Sequence, residues 1–159
     1  MPRKVTTSLQ RKLNPDRKYQ SVLVQRLINK SMLNGKKLAA ERAVYDALEV
    51  AAKKLKSENP LEIFEKALKN VSPNFEVKSR RVGGANYQIP FPIQGHRQLH
   101  FAFSWLVQSA RDRKGLSYSQ CLALEVIDAC NETGGAFKKK EDTHRMAEAN
   151  RAFAHFART

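Results

Sequence analysis

Apolar residues recur every three or four positions along most of this 159-residue chain, and only between about Phe75 and Pro90 does the period fall to two. That switch constrains the fold more than any other feature. A helical pattern does not sit as a strand, nor a strand pattern as a helix. One short period-two stretch supplies a two-stranded ribbon, which is marginal on its own. The core must therefore come from helices, and the ribbon must lie on them or be ordered by a partner. The expectation is a mainly α fold of about six helices with one protruding β-hairpin.

The helical stretches have legible ends. Val24, Leu27, Ile28 and Met32 form the first stripe after Gln20, and Asn34-Gly35 suits a left-handed cap closing it. Residues 36–55 repeat Ala40, Ala43, Val44, Ala47, Leu48, Ala51 and Leu55. Asn59-Pro60 reads as an N-cap followed by Pro at the first helical position, ahead of Leu61, Phe64, Leu68 and Val71. Ser72-Pro73 stops that helix. Leu99, Ala102, Phe103, Leu106 and Ala110 form the next stripe. Ser117 with Gln120 fits a capping box before Leu122, Val126 and Ala129. Gly134-Gly135 is expected to end that helix, and a last one is expected from about Phe137 to Ala157, with Met146, Asn150 and Phe153 on one side.

In the ribbon, Phe75, Val77 and Ser79 alternate with Glu76, Lys78 and Arg80, and Val82-Gly83-Gly84-Ala85-Asn86 is turn chemistry. Tyr87, Gln88 and Ile89 carry the return strand. Phe75 is expected in the small core of the ribbon. For Tyr87, a core place and stacking on a nucleic-acid base are equally open.

Charge narrows the function. Lys and Arg number 29 against 15 Asp and Glu, a formal net charge of +14. Such an excess repels itself in a compact state and calls for a polyanion. It is unevenly placed. Residues 1–18 hold six basic side chains and Asp16, and residues 69–82 hold four against Glu76. We therefore read residues 1–18 as a basic arm, and 19–159 as a single helical domain with the hairpin at about 74–90. Gly83 and Gly84 let backbone approach phosphates closely. Lys140, His144 and Arg151 fall near one face of the last helix, so a duplex-DNA reading with residues 138–151 in a major groove also stands at this point.

Other classes find little support. No run of apolar residues is long enough to span a bilayer, though an acidic membrane surface stays open at this point as the second candidate polyanion. Met1-Pro2-Arg3-Lys4 is not followed by an apolar run, and no secretory signal is expected. Cys121 and Cys130 read as reduced, half-buried thiols. Gly35-Lys36 lacks both the earlier glycine and the following Ser or Thr of a phosphate loop. His96 and His100 share a helix face but lack a third metal ligand nearby. Glu141-Asp142 reads as acids at a helix start, favouring the dipole, rather than as a catalytic pair. No enzyme activity, cofactor, metal or small-molecule substrate is expected.

Three motifs then point further. Asn34-Gly35-Lys36-Lys37 with Ala40-Glu41-Arg42 and Tyr45-Asp46-Ala47-Leu48 is the first. The stretch from Val77 to Pro90 is the second, and Lys138-Lys139-Lys140-Glu141-Asp142-Thr143-His144-Arg145 onward to His155 is the third. In this order and spacing they resemble the bacterial type of the small-subunit ribosomal protein seven family. The resemblance implies a helical bundle with a protruding hairpin. It implies direct binding to the 3′ major domain of small-subunit ribosomal RNA, nucleation of head assembly, and a place near the messenger exit path and exit-site transfer RNA in the cytoplasmic ribosome. Small-subunit ribosomal proteins nine and eleven are the implied protein neighbours, and with the resemblance no membrane partner is expected. The residues carried over as RNA-binding are Arg3, Lys4, Arg11 and Lys12 in the arm, Lys36 and Lys37 after the first helix, and Lys78, Arg80, Arg81, Gly83 and Gly84 on the hairpin. Arg97, Arg111, Lys138, Lys139, Lys140, His144 and Arg145 complete the set. One segment departs: Ile93-Gln94-Gly95-His96-Arg97-Gln98 keeps one arginine where the family has a proline and an arginine pair, so weaker or pH-sensitive contacts are expected there. A free-standing messenger-binding regulator would use the same residues.

Overall fold

The computed structural model describes residues 13–157. Six α-helices and one hairpin follow in order: α1 (Val22–Ser31), α2 (Lys37–Leu55), α3 (Pro60–Val71), β1 (Phe75–Val82), β2 (Ala85–Pro92), α4 (His96–Asp112), α5 (Tyr118–Cys130) and α6 (Gly134–Ala149). A 3₁₀ segment, Arg151–Ala157, ends the described chain. The fold is mainly α, as the periodicity predicts. No described helix is long and apolar enough to cross a membrane.

Helix α5 is the axis of the bundle and packs against α2, α3, α4 and α6. Its sequence explains this: between Tyr118 and Glu125 it carries no charge, and Cys121, Leu122, Ala123, Val126, Ala129 and Cys130 are all buried. Phe64 of α3, Leu48 of α2 and Leu106 of α4 close over it from their own stripes. Both thiols are free and fully buried rather than half-buried. Cys130 Sγ lies 3.1 Å from the Ile63 carbonyl, and burial pushes its pKa up, which suits an inert packing thiol.

The capping signals hold at α3 and α5. Asn59 accepts from the Leu61 amide at 3.1 Å, and Ser117 from the Gln120 amide. Elsewhere the ends move. Helix α1 stops at Ser31, with Met32 extended, so Asn34 and Gly35 (φ 51° and 73°) form a separate left-handed turn instead of its cap. Gly134-Gly135 opens α6 instead of closing α5. Its reason is close approach: a Cβ on Gly135 would stand 3.0 Å from Ser109 Oγ of α4. Helix α6 ends at Ala149, well short of Ala157. Asn150 donates from its side chain to the Met146 carbonyl at 2.8 Å, competing with the helix ladder. The expected shared side of Met146, Asn150 and Phe153 is therefore broken. Glu141 and Asp142 sit mid-helix, away from the positive end of the dipole.

The hairpin pairs Phe75 with Pro92 through Val82 with Ala85, two residues longer than the ribbon read from sequence. A two-stranded ribbon leaves each strand one free edge, and the spacing of Pro90 and Pro92 lets both fall on it. The hairpin lies on α6 and the 3₁₀ segment at its base and is exposed at its tip. In a 3₁₀ turn, residues three apart eclipse. Phe153 and Phe156 accordingly both meet Tyr87, at ring-centroid distances of 5.0 and 5.8 Å. Tyr87 is thus half-buried against these two rings, which supports its packing role.

Before α1, Asp16 is almost fully buried and accepts from the amides of Lys18, Tyr19 and Ser21 and from the Tyr45 hydroxyl. Burial, more than the carboxylate beside it, pushes the Tyr45 phenol up to about 12. Lys18 also pairs with Glu49 of α2. The turn at residues 17–19 is thus fastened to α2.

Candidate nucleic-acid interface

Four of the expected RNA-binding residues, Arg3, Lys4, Arg11 and Lys12, lie outside the described residues. The rest fall into two kinds: cations that project, and cations spent on holding the fold.

Lys36 and Lys37 project. They stand exposed at the start of α2, which has no acid in its first turn. Cations at a helix N-terminus oppose the dipole. Two of them there, with no ion pair among the described residues, favour an external anion. Arg111 at the other side of the same shallow cleft is partly committed, because its guanidinium donates to the Ser31 carbonyl at 3.2 Å.

The hairpin tip is built for close approach. Gly83 and Gly84 have φ of 57° and 91°, the values of a type I′ turn, and both are exposed. Arg81 is exposed beside them. Further down, Lys78 and Arg80 both lie over the Phe91 ring, at 5.0 and 5.2 Å. Cross-strand geometry explains it: Glu76 is the partner of Phe91, and residues two apart share a face.

Glu76 is only 6% exposed and organises the base of the hairpin. It accepts from Lys78 Nζ at 2.7 Å and from Arg97 of α4 at 2.8 and 2.9 Å. Burial pulls its pKa upward, but the hydrogen bonds from Lys78 and Arg97 outweigh that, and the carboxyl ends below its usual value. Arg97 also stacks on Phe101 at 4.8 Å. Lys78 and Arg97 therefore reach a polyanion only in competition with an internal carboxylate.

Helix α6 divides its cations by face. Lys138 and Arg145 are seven apart, about 20° short of two turns, and both are exposed. Arg145 has only a loose pairing with Asp142 at 3.7 Å, and Lys139 a similar one with Asp112. Lys140, about 200° round from Lys138, points into the body and donates to the Asn70 carbonyl at 2.7 Å. His144 Nε2 accepts from the Asn74 amide at 3.0 Å. Burial and then nearby Lys140 lower its pKa, so the ring is neutral and Nδ1 carries the proton. The expected backbone-tracking row of Lys140, His144 and Arg151 does not exist. Two of its members face the bundle, and Arg151 lies beyond the helix end. A continuous reading helix for a DNA groove is lost with it.

Phe75 also departs from expectation. It is 43% exposed and stands edge-on to His144 at 6.2 Å, outside any core.

Two basic residues of α1 escaped the charge partition because their segment is nearly balanced overall. Arg26 and Lys30 face His96 and His100 of α4 across a cavity of about 410 Å³. Their spacing of four was the available signal. Two cations opposite the imidazoles oppose a metal there, and no group of three ligating side chains occurs among the described residues. Arg113, just past the end of α4, holds the fold. It binds buried Glu125 at 2.6 Å and Asp128 at 2.5 Å, and Glu125 in turn accepts from the Ala136 amide at the start of α6.

Comparison with known proteins completes the picture. The family model described as ribosomal protein S7p/S5e matches residues 2–151. The small ribosomal subunit protein uS7 of Thermomicrobium roseum is 55% identical over 146 residues, 92% of this chain and 93% of that protein. The uS7 of Chloroflexus aggregans is 55% identical over 158 residues, 99% of each chain. That of Dictyoglomus thermophilum is 54% identical over 146 residues, 92% of this chain and 93% of its own. A whole-length match of this kind, on a helical bundle with a glycine-tipped basic hairpin, leaves one conclusion: the chain belongs to the ribosomal protein S7p/S5e family.

Proposed function

We infer that this ribosomal protein is a structural constituent of the small subunit of the cytoplasmic ribosome and binds its ribosomal RNA directly, in the 3′ major domain. The reading extends to nucleation of head assembly and to a position near the messenger exit path and the exit-site transfer RNA, with small-subunit proteins nine and eleven as neighbours. Arg3, Lys4, Arg11 and Lys12 act as an arm that lengthens the grip, whereas Lys18 is held by Glu49 of α2.

The observation that carries the reading is the set of uncommitted cations. Lys36, Lys37, Arg81 and Lys138 make no ion pair among the described residues, and Arg145 makes only a loose one. Lys78, Arg97 and Arg113 are instead engaged by internal carboxylates, so among the expected contacts the uncommitted cations are the groups free to displace counterions from phosphates. The family is one of structural ribosomal proteins.

The test is a hydroxyl-radical footprint of the full chain on the isolated 3′ major domain RNA, with a salt series. With about six to ten phosphate contacts, affinity falls by roughly 10³–10⁵ between 50 and 200 mM salt on the duplex-DNA scale. A flat salt response, or equal affinity for duplex DNA, overturns the reading. So does sedimentation that leaves most of the cellular protein off the small subunit.

A further inference from the structure

Between the base of the hairpin and the end of α6 runs a groove of about 790 Å³, lined by Phe75, Pro90, Phe91, His144, Ala147 and Arg151 among others. We propose that this groove takes an unstacked base of single-stranded RNA, with Phe75 as its stacking platform. The proposal rests on the RNA-binding reading above and names the element of RNA that this groove would hold.

Four observations converge. First, the described aromatics of the hairpin are differently employed. Tyr87 is covered by Phe153 and Phe156, and Phe91 is overlaid by Lys78 and Arg80, whereas Phe75 is 43% exposed at the groove wall. An exposed aromatic on a basic surface is what base stacking uses, because every base has a π-face. Second, the volume lies in the range of small-ligand pockets, large enough for a nucleoside. Third, charge is arranged for a backbone rather than for a duplex. Arg151 stands at one wall, Lys78 and Arg80 at the rim over Phe91, and Glu148 is the one carboxylate among the lining residues. Fourth, His144 has its Nε2 occupied by the Asn74 amide and is neutral. Its Nδ1–H has no partner among the described residues and is a donor for a base edge.

Rigidity supports the assignment. Pro90 is buried, Ile89 beneath it is fully buried, and the edge-on His144 ring fixes Phe75 from the side. A preformed platform loses little entropy on stacking. Arg80 lies over the Phe91 ring that lines the groove, so a strand held at Arg80 is within reach of its mouth. An extended protein segment is the competing occupant. The apolar lining of Phe75, Pro90, Phe91, Pro92, Ala147 and Ala154 would accept such a segment too, but Arg151 at the wall and Lys78 and Arg80 over Phe91 favour an anionic chain.

The experiment uses the full chain and a hexauridylate probe carrying one 2-aminopurine and one 4-thiouridine. Titration is followed by fluorescence, and ultraviolet crosslinks are mapped to residues. The expected result is quenched 2-aminopurine and crosslinks at Phe75 or Phe91. F75L retains apolar bulk without the π-face and weakens the single strand by roughly 5- to 150-fold, while affinity for the same sequence as duplex RNA is unchanged. Unchanged binding by F75L overturns the proposal, as does equal loss on single strand and duplex. Crosslinks confined to the hairpin tip and the outer face of α6 also overturn it, whatever the variant's stability, and point to a protein occupant. The two readings fail separately. If the 3′ major domain RNA still binds tightly while crosslinks avoid the groove, only the groove assignment falls. If that RNA does not bind at low salt, the general reading falls.

Discussion

Glu76→Gln separates holding the fold from holding RNA more sharply than any other change. The substitution keeps the shape and one acceptor while removing the charge that Lys78 and Arg97 share. Breaking a fully buried pair costs about 3–5 kcal/mol, whereas exposed pairs contribute about 0.2–1 kcal/mol. Glu76 is nearly buried, but the Lys78 and Arg97 side chains are 50% and 54% exposed and can turn to water. The cost therefore lies between these limits, at about 2 kcal/mol, or roughly 4–8 °C in Tm for a domain of this size. The pH dependence follows the same carboxyl. Its pKa is lowered in the fold, so its stabilisation is present above the usual value of 4.5 and is lost as pH falls through the folded pKa. The variant lacks that acid-side loss.

RNA binding moves the other way. A carboxylate about 6 Å from a bound phosphate repels it by about 0.7 kcal/mol in water, a factor of about three for each phosphate so placed. Two cations released from Glu76 add up to about 0.7–0.9 each to the magnitude of the log–log salt slope. The expectation is a protein that melts earlier and binds the domain RNA about three- to tenfold tighter, with a steeper slope. Scanning calorimetry and filter binding from 50 to 300 mM KCl measure both. Affinity that falls together with Tm, or an unchanged slope, would show that Glu76 positions Lys78 and Arg97 for RNA instead of competing for them.

Arg113→Met leaves Glu125, 1% exposed, with the Ala136 amide as its remaining partner, and should cost about 3–5 kcal/mol in urea unfolding with no direct effect on an RNA contact. Lys138→Ala and Arg145→Ala should each reduce the RNA salt slope by up to about one and leave Tm in place, whereas Lys140→Ala should lower Tm by orphaning the Asn70 carbonyl and barely touch the slope. The pKa of His144 is lowered in the fold, so the unfolded chain binds its proton first. Stability should be full above the usual value of 6.5 and decline as pH falls below it, and His144→Gln should flatten that decline in a pH series of thermal melts.

The helical bundle was legible because its signals are local. Stripes such as Ala40, Val44, Ala47, Leu48 and Ala51 face one way whatever they pack against, and Asn59 and Ser117 cap through amides two or three residues on. What misled was long-range. Gly134-Gly135 carries the composition of a stop signal, but the nearest obstacle at Gly135 is Ser109, twenty-six residues earlier, and that crossing makes it a start. Asn150 looks like one more position on an apolar face until its side chain takes the Met146 carbonyl. Phe75 has the pattern of an inward strand residue. The ribbon has one packed side only where α6 and the 3₁₀ segment reach it, and neither boundary could be read from the ribbon's own alternation.

The cations show the same limit in a form that matters for function. Lys138 and Lys140 are neighbours in a run of three identical residues, so composition gives them equal standing. Helical geometry sets them about 200° apart, but only the direction in which α6 lies on α4 and β1 decides which is outside. The hairpin repeats the lesson with opposite sign. Lys78 and Arg81 both count as +1, yet Lys78 carries its counter-charge two residues away at Glu76 and Arg81 carries none among the described residues. A net charge of +14 therefore overstates the part of the body that meets RNA and understates how sharply that part is placed. Because Glu76 engages Lys78 and Arg97 at the hairpin base, the expected RNA-binding cations left unpaired among the described residues stand at the glycine tip, at the start of α2 and along one edge of α6. A polyanion following those three places is held by sites on separate elements, so its affinity depends on the bundle keeping them in register. Buried pairs such as Arg113 with Glu125 then serve RNA binding without touching it.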